Sequence, residues 1–468
     1  MRITHQQKIQ CVADRIRYLN SKGILIRVYH GSTNSTRTLR FRQDEIVDIS
    51  DLNCVLQIDT LNRTAVVEPN VPMDKLVAET MKYGLVPAVV PEFPGITIGG
   101  AIAGGSGESS SFRYGLVQNQ ALECELVLGS GEIVQSSPTK NPDLFVGLGA
   151  TCGSIGILTA IELALVPATK FVRLKYIPVS SFDEAMECIN KSAAEQVDFI
   201  DSIFFAKNRG VVMLGYRTDV KSKPVRRFSR AWDEWFYLHA QKMFYQGGGI
   251  ETIPLVDYLF RYDRGAFWMG KHAFSRFRIP FNRLTRFILN PLLKTRIMYR
   301  GIQESNTRQE YFIQDASVPE ERLLELLEYI DSKYKIYPLW LLPITPNIFS
   351  TTNIMTNIST KGSFIINVGV WSSLKLSYED FASANIRFEE EVVQLGGCKA
   401  PYGHVYGEEN LFWKNHNQEL YEKVRKKYHA IDIFPSLYEK IRVRERYVPT
   451  VKKGFFRALR LRWRLPLS

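Results

Sequence analysis

Apolar residues near the start of the chain recur at helical spacing. Ile9, Val12, Ile16 and Leu19 predict a helix over about residues 5 to 20, ended by Gly23. The run GILIRVY that follows predicts a buried strand. Strands are also predicted over 44–58 and 64–68, with a helix over 73–83. ALECELVLGSGEIVQSS reads as a β-hairpin turning at Gly129–Gly131, and 159–167 as a strand closing the first region. From Phe171 onward the texture changes. Strand-like runs (FVRLKYIPV, IDSIFFAK, GVVMLGYR) alternate with helix-like runs (SFDEAMECINKSAAEQ, ERLLELLEYIDSKY) and little glycine. Neither an internal repeat nor a long linker interrupts the pattern.

Three Gly/Ser/Thr segments punctuate the first region: HGSTNSTR from His30, PEFPGITIGGAIAGGSGESSSFRYG from Pro91 and GLGATCGSIGILTA from Gly147. Brought together, they expose many backbone N–H groups to one ligand, which is how a pyrophosphate is held without side-chain charge. None is a dinucleotide fingerprint of the strand–helix kind. Gly105-Ser106-Gly107 would need glycine where Ser110 stands, and Gly147-Leu148-Gly149 where Cys152 stands. A Walker A loop is absent as well. The pattern predicts a cradle built from several loops.

A length of 468 residues suggests two or three domains, and the hydrophobic and charged fractions are ordinary for a globular protein. Six scattered cysteines without a CxxC pair argue against zinc and against a disulfide framework, and point to reduced thiols in the cytosol. No metal site is expected. The polar start MRITHQQKIQC and the lack of any apolar run of about 18 residues lead us to expect neither a secretory signal nor a membrane span. The net charge of +12 is uneven: after residue 440 nine Lys and Arg face one Glu. The excess is largely a basic tail, 441–468. Nothing else in the chain suggests a nucleic-acid module.

In this order, HGSTNSTR, ITIGGAIAGGSGESSSFRYG, the ELVLGSGEIV hairpin and GATCGSIGILTAIEL resemble the FAD-binding domain of the vanillyl-alcohol-oxidase-like (PCMH-type) flavoproteins. YLFRYDRGAFW, IQDASVP, YPLWLLP and APYGHVYGEENLFW are similar to landmarks of the delta-24 sterol reductase family within them. The resemblance covers roughly residues 8 to 441 and implies an α+β fold. A two-subdomain FAD-binding domain would cover about 1–170, and an α+β substrate domain with an antiparallel sheet about 171–440. It further implies that Gly31, Ser32, Thr33, Asn34, Ser35 and Thr36, with Thr97, Gly99, Gly100, Gly104, Gly105, Ser106, Ser109 and Ser110, wrap the pyrophosphate. In that arrangement Gly99 and Gly100 admit the backbone closely, and Ser106, Ser109 and Ser110 add hydroxyl donors. Gly153, Gly156 and Ile157 would meet the isoalloxazine edge or the ribityl chain. Many relatives attach the flavin through a histidine where Thr33 stands here, so non-covalent FAD is expected, with His30 as a loop histidine. Cys152 reads as a packing residue, and Glu92 as a cap or lining group at the loop entry with no chemistry assigned.

In the resembling family, reduced flavin saturates an isolated sterol side-chain double bond with NADPH as electron source. Such an alkene needs a proton with the hydride, hence a placed acid in a dry pocket. Tyr402, His404 and Asp315 are the candidates, with Tyr406 and Gln314 beside them. At His404 the chain departs from an acidic residue in the animal relatives. Two alternatives stay open: an FAD-dependent alcohol or sugar oxidase or dehydrogenase, and a non-catalytic membrane flavoprotein. The segment 226–300 interleaves aromatics with Arg and Lys. It reads as substrate-domain core, as the lining of a lipid channel, or as a surface resting on an anionic membrane. The tail KKGFFRALRLRWRLPLS, which the resemblance casts in place of a family anchor, suggests the same surface. The expected setting is the cytosolic face of the endoplasmic reticulum membrane.

Overall fold

A computed structural model describes residues 4–31, 41–346 and 358–450. The first helix, His5–Ser21, starts at a capping box in which the Thr4 side chain and Gln7 each satisfy the other's backbone N–H. Its buried stripe is Ile9, Val12, Ala13, Ile16 and Leu19. The apolar run after Gly23 pairs only over Arg27–Tyr29, in parallel with Ile46–Asp48. The single strand expected over 44–58 is two, Ile46–Asp48 and Val55–Asp59. The Asp48 carboxylate accepts the Ser50 N–H at 2.8 Å and turns the chain between them.

The first region is built on an antiparallel sheet in the order Val55–Asp59, Thr64–Val67, Ile157–Pro167, Ala121–Val127, Ile133–Ser136. Leu85–Pro87 also pairs with Ile157–Pro167. The expected hairpin is there, with Val127 opposite Ile133. Helix Met73–Met81 packs beside Leu85–Pro87 and Val55–Asp59.

The second sheet has eight strands, in the order Gly249–Pro254, Phe171–Val179, Arg209–Thr218, Phe199–Ala206, Leu339–Ile344, Ile365–Ser372, Phe312–Pro319, Cys398–Lys399. All neighbouring pairs are antiparallel. Its strands are apolar on both faces, and the faces go to different places. Leu339, Leu341, Ile366, Val368 and Val370 join helices Phe182–Ala193, Leu323–Lys333 and Tyr378–Gln394 in one core. Trp340, Leu342, Ile344 and Trp371 join a larger core that contains the first region and much of the 226–300 segment.

Two long-range connections hold this arrangement. The last helices return to the start of the chain: Ala430, Ile433 and Phe434 share a core with the first helix, and the Ile26 N–H meets the Ile433 carbonyl at 2.7 Å. Residues assigned by sequence to the second region therefore pack on the first. The other connection is the fully buried Arg261. One of its nitrogens reaches Glu108 in the long glycine segment at 2.9 Å and Asp201 in the second sheet at 3.0 Å. Tyr262 and Trp340 also donate to Asp201, at 2.8 and 3.0 Å. Removing one partner of a buried charge cluster leaves the others unpaired at a cost of about 3–5 kcal/mol. Arg261→Met is expected to lower unfolding stability by that order in urea titration; a loss of under about 1 kcal/mol would contradict the role given to this contact.

Candidate active site

The two sheets and the segment between them enclose a cavity of about 1340 Å³. That exceeds the roughly 300–1,000 Å³ of ordinary small-molecule pockets and leaves room for a dinucleotide beside a second ligand.

One wall comes from the glycine segments. The stretch expected to be a loop carries a short helix, Ile98–Gly104. Thr97 caps it by accepting the Gly100 N–H at 3.2 Å, Ile98, Ala101 and Ile102 turn into the core, and Gly105 ends it in the left-handed conformation. Thr97, Gly99, Gly100, Gly104, Gly105 and Ser106 line the cavity, as do Cys152, Gly153, Gly156 and Ile157. Gly99 has a packing reason of its own, since a Cβ there would lie 2.6 Å from the Cβ of Pro69. At Gly104 a Cβ would meet nothing within 4 Å, and at Gly153 nothing nearer than 3.8 Å. Gly104 leaves bare backbone facing open space, and the Ser106 hydroxyl on the same wall has no partner among the described residues. This wall fits a pyrophosphate and ring system held by main-chain groups. Lys440, itself on the cavity lining, braces the third segment through the carbonyls of Cys152 and Gly153, at 3.0 and 2.7 Å; nothing in the sequence singled it out.

Two expected donors point elsewhere. Ser109 bonds Glu108 and lies 3.1 Å from the Tyr258 hydroxyl, and Ser110 donates to the Ala88 carbonyl at 2.8 Å. Both are buried and neither lines the cavity. They tie the segment down and are not free to bind a phosphate. Gly31 is buried outside the lining, and Ser32, Thr33, Asn34, Ser35 and Thr36 lie outside the described residues. His30 lines the cavity.

The opposite wall follows from strand alternation. Along Phe312–Pro319, Ile313, Asp315 and Ser317 face the cavity, while Phe312, Ala316 and Val318 face the helices. Gln314 goes with the helix side and donates to Asn385. The same alternation presents Asn367 and Trp371 to the cavity. Asp315 therefore sits in a polar cluster. It accepts from Asn367 at 3.2 Å, from Trp371 at 3.3 Å and from the Tyr402 hydroxyl, and the Trp371 N–H also lies 3.2 Å from that hydroxyl. Burial pushes the Asp315 carboxyl up to about 6, against the pull of the Tyr402, Asn367 and Trp371 hydrogen bonds. Burial and the neighbouring Asp315 charge push the Tyr402 phenol well above its ordinary value. His404 lines the cavity too, and its carbonyl accepts Lys399 at 2.7 Å. Tyr406 does not line it; its N–H binds Glu389.

The remaining lining is apolar over a large part and charged elsewhere, where Arg27, Arg42, Arg276, Arg442 and Arg444 stand with Glu45 and Glu445. It includes Phe267, Phe274, Leu292, Leu293, Met298 and Trp340, so the aromatic segment is for the most part core and cavity wall. Set into this lining is Glu92, which sequence reading noted without a role. Its carboxyl makes no hydrogen bond or ion pair with another side chain among the described residues. Burial pushes it up to about 8, opposed by the hydrogen bond from its own backbone N–H and by Arg261 and helped by the like charges of Glu108 and Asp315. Among the described residues no group of three His, Cys, Asp or Glu could hold a metal ion.

The chain resembles known proteins in the parts that build these walls. A family model described as an FAD binding domain matches residues 5–137. The Delta(24)-sterol reductase of Homo sapiens is 27% identical over 452 residues, covering 93% of this chain and 86% of that protein. The Delta(24)-sterol reductase of Arabidopsis thaliana is 29% identical over 430 residues, covering 84% and 76%. Cytokinin dehydrogenase 9 of Oryza sativa subsp. japonica is 32% identical over 152 residues, covering 32% and 29%.

The buried acids make stability depend on pH with a definite sign. An acid whose pKa is higher folded than unfolded stabilises the fold below its unfolded value, and that contribution is lost as pH rises through the folded one. For Glu92 the window runs from 4.5 to about 8. Glu92→Gln removes the titration. Its stability is expected to gain on that of the parent protein by a few kcal/mol, on the order of 1.4 per pKa unit, between about pH 5 and pH 9. Thermal unfolding across that range checks it, and a pH-independent difference would contradict the assignment.

Proposed function

We propose that this chain, a delta-24 sterol reductase-like flavoprotein with a PCMH-type FAD-binding domain, saturates an isolated carbon–carbon double bond. The substrate is a sterol or isoprenoid lipid side chain, with FAD as cofactor and NADPH as electron source. The observation that carries this reading is that one cavity combines main-chain groups, a large aromatic and aliphatic lining, and a buried polar cluster. FAD bound there supplies the hydride. The chain's residues do the rest. The Gly104–Ser106 and Gly153–Ile157 walls hold the cofactor without covalent attachment. Phe267, Phe274, Trp340 and Leu342 bury the apolar substrate and exclude water from the reacting carbons. Asp315 fixes the Tyr402 hydroxyl, and with His404 these groups orient the substrate against the polar wall.

This reading extends to a lipid surface as the source of substrate. In helix Arg283–Ile288 no residue is buried. Leu284, Phe287 and Ile288 are 66%, 46% and 62% exposed, and Trp232 beside them is 53% exposed. An Arg283 nitrogen lies 3.5 Å from the Trp232 carbonyl. Apolar side chains with Trp and Arg at their edge suit an anionic membrane surface. Leu289, Leu292 and Leu293, next along the chain, line the cavity, so the surface and the apolar interior are contiguous. No helix among the described residues is long and apolar enough to cross a membrane. The proposed setting is the cytosolic face of the endoplasmic reticulum membrane, with the basic tail, whose residues 451–468 lie outside those described, as a second contact.

Two measurements test this. In anaerobic titration NADPH is expected to bleach the flavin band, and a sterol with an unsaturated side chain to restore it. Bleaching by an alcohol or sugar instead would favour a dehydrogenase, and a colourless protein that FAD cannot reconstitute would end the flavoprotein reading. In flotation with phosphatidylserine vesicles, Leu284→Glu combined with Ile288→Glu is expected to cut binding several-fold with FAD content unchanged. Equal flotation would remove this helix from the membrane contact.

A further inference from the structure

We propose that Glu92 is the acid that protonates the substrate double bond, a role that rests on the reductase reading above. Tyr402, Asp315 and Glu92 stand among the ionisable side chains of the cavity wall, beside His404, and the partners of these three separate them. The Tyr402 hydroxyl donates to Asp315, so its proton points into the wall. Asp315 accepts from Tyr402, Asn367 and Trp371, three donors that each favour its charged form. Glu92 lines the same cavity and makes no hydrogen bond or ion pair with another side chain among the described residues, its carboxyl meeting only its own backbone N–H.

The backbone around Glu92 is held in place. It lies between Pro91 and the buried Phe93, whose ring packs 5.8 Å from that of Phe267 and 5.9 Å from that of Tyr299. The Ile96 carbonyl accepts the Met73 N–H at 2.8 Å, and the Pro94 carbonyl accepts from Asp74 at 3.2 Å and from the Arg296 guanidinium at 3.1 Å. Five residues further on, Thr97 opens the helix Ile98–Gly104 on the cofactor wall. Glu92 thus stands where the main-chain wall gives way to the apolar lining, the place at which a proton and a hydride must reach one double bond. The charged and titratable groups that act on it are Glu108, Asp315, Tyr299 and Arg261. Burial and two like charges outweigh its own backbone N–H and one cation, and the carboxyl is held protonated at neutral pH.

In the step, the Glu92 O–H bond breaks as a C–H bond forms at one alkene carbon. The other carbon would take a hydride pair whose electrons come from NADPH, which is oxidised as the alkene is reduced; FAD held by the Gly104–Ser106 and Gly153–Ile157 walls would supply that hydride chemistry. The Glu92 carboxylate regains its proton from solvent.

The test uses the full-length holoprotein, reduced with dithionite so that NADPH binding does not enter, and mixed with a detergent-dispersed sterol carrying an isolated side-chain alkene. Glu92→Gln is expected to slow flavin reoxidation by about 10²–10⁴-fold, the usual worth of a placed acid, with Glu92→Asp in between. Infrared spectra provide a readout apart from turnover. A protonated-carboxyl carbonyl band should be present at neutral pH, fade near pH 8 and be missing in Glu92→Gln. Reoxidation of Glu92→Gln at the parent rate, or a parent spectrum without that band, overturns the proposal. A parent protein that the sterol fails to reoxidise overturns the reductase reading itself, whatever the infrared result.

Discussion

The architecture turns on one buried guanidinium. Arg261 has no exposed surface, and one of its nitrogens is shared between Glu108, in the glycine segment of the first region, and Asp201, in the second sheet. Its charge also lies 4.2 and 4.6 Å from the ring centres of Tyr258 and Tyr262. A cation this deep is tolerated only because acids and rings surround it. The consequence is positional. The glycine-segment wall and the second-sheet wall are tied through the same side chain, so the distance between them is set by a polar contact that cannot slide. Apolar packing around it, with Trp340 and Trp371 in the same core as Ile98 and Ile102, fills the remaining space.

A second constraint is the two-sided burial of the eight-stranded sheet. Because side chains alternate, one strand supplies both the helix-side core and the cavity wall. Asp315 is a cavity residue because Phe312, Ala316 and Val318 must face the helices; a slip of one residue would bury Asp315 among them and put Gln314 in the cavity. The polar cluster of Asp315, Asn367, Trp371 and Tyr402 is then assembled from two strands and the segment after the last one. Its hydrogen bonds hold the tyrosine proton toward the wall, which leaves Glu92 as the acid bound by no other side chain among the described residues. The division of labour between these two carboxyls follows from their partners.

Much of the local structure was legible in the chain. The first helix, the hairpin after the long glycine segment and Phe171–Val179 lie where the apolar pattern put them, because each buries a regular stripe or face. The pattern failed where short polar side chains rewired the backbone. Asp48 and Ser50 cut one expected strand in two, and Thr97 with Gly105 shaped a helix inside an apparent loop. Ser109 and Ser110 were misjudged for a related reason: a hydroxyl in a glycine-rich segment serves a ligand or the fold equally well until its neighbours are known.

The sequence by itself determined the class of the protein, because the order and spacing of its glycine segments and landmarks are properties of the chain. It also determined which residue types were at hand for catalysis. Only the tertiary structure decided which acids face the cavity and which are bound by neighbours, that the last helices return to the first region, and that the aromatic segment is mostly interior. These depend on contacts between residues up to several hundred positions apart, such as Lys440 with Cys152 and Arg261 with Glu108, and no local pattern encodes the partner at that distance.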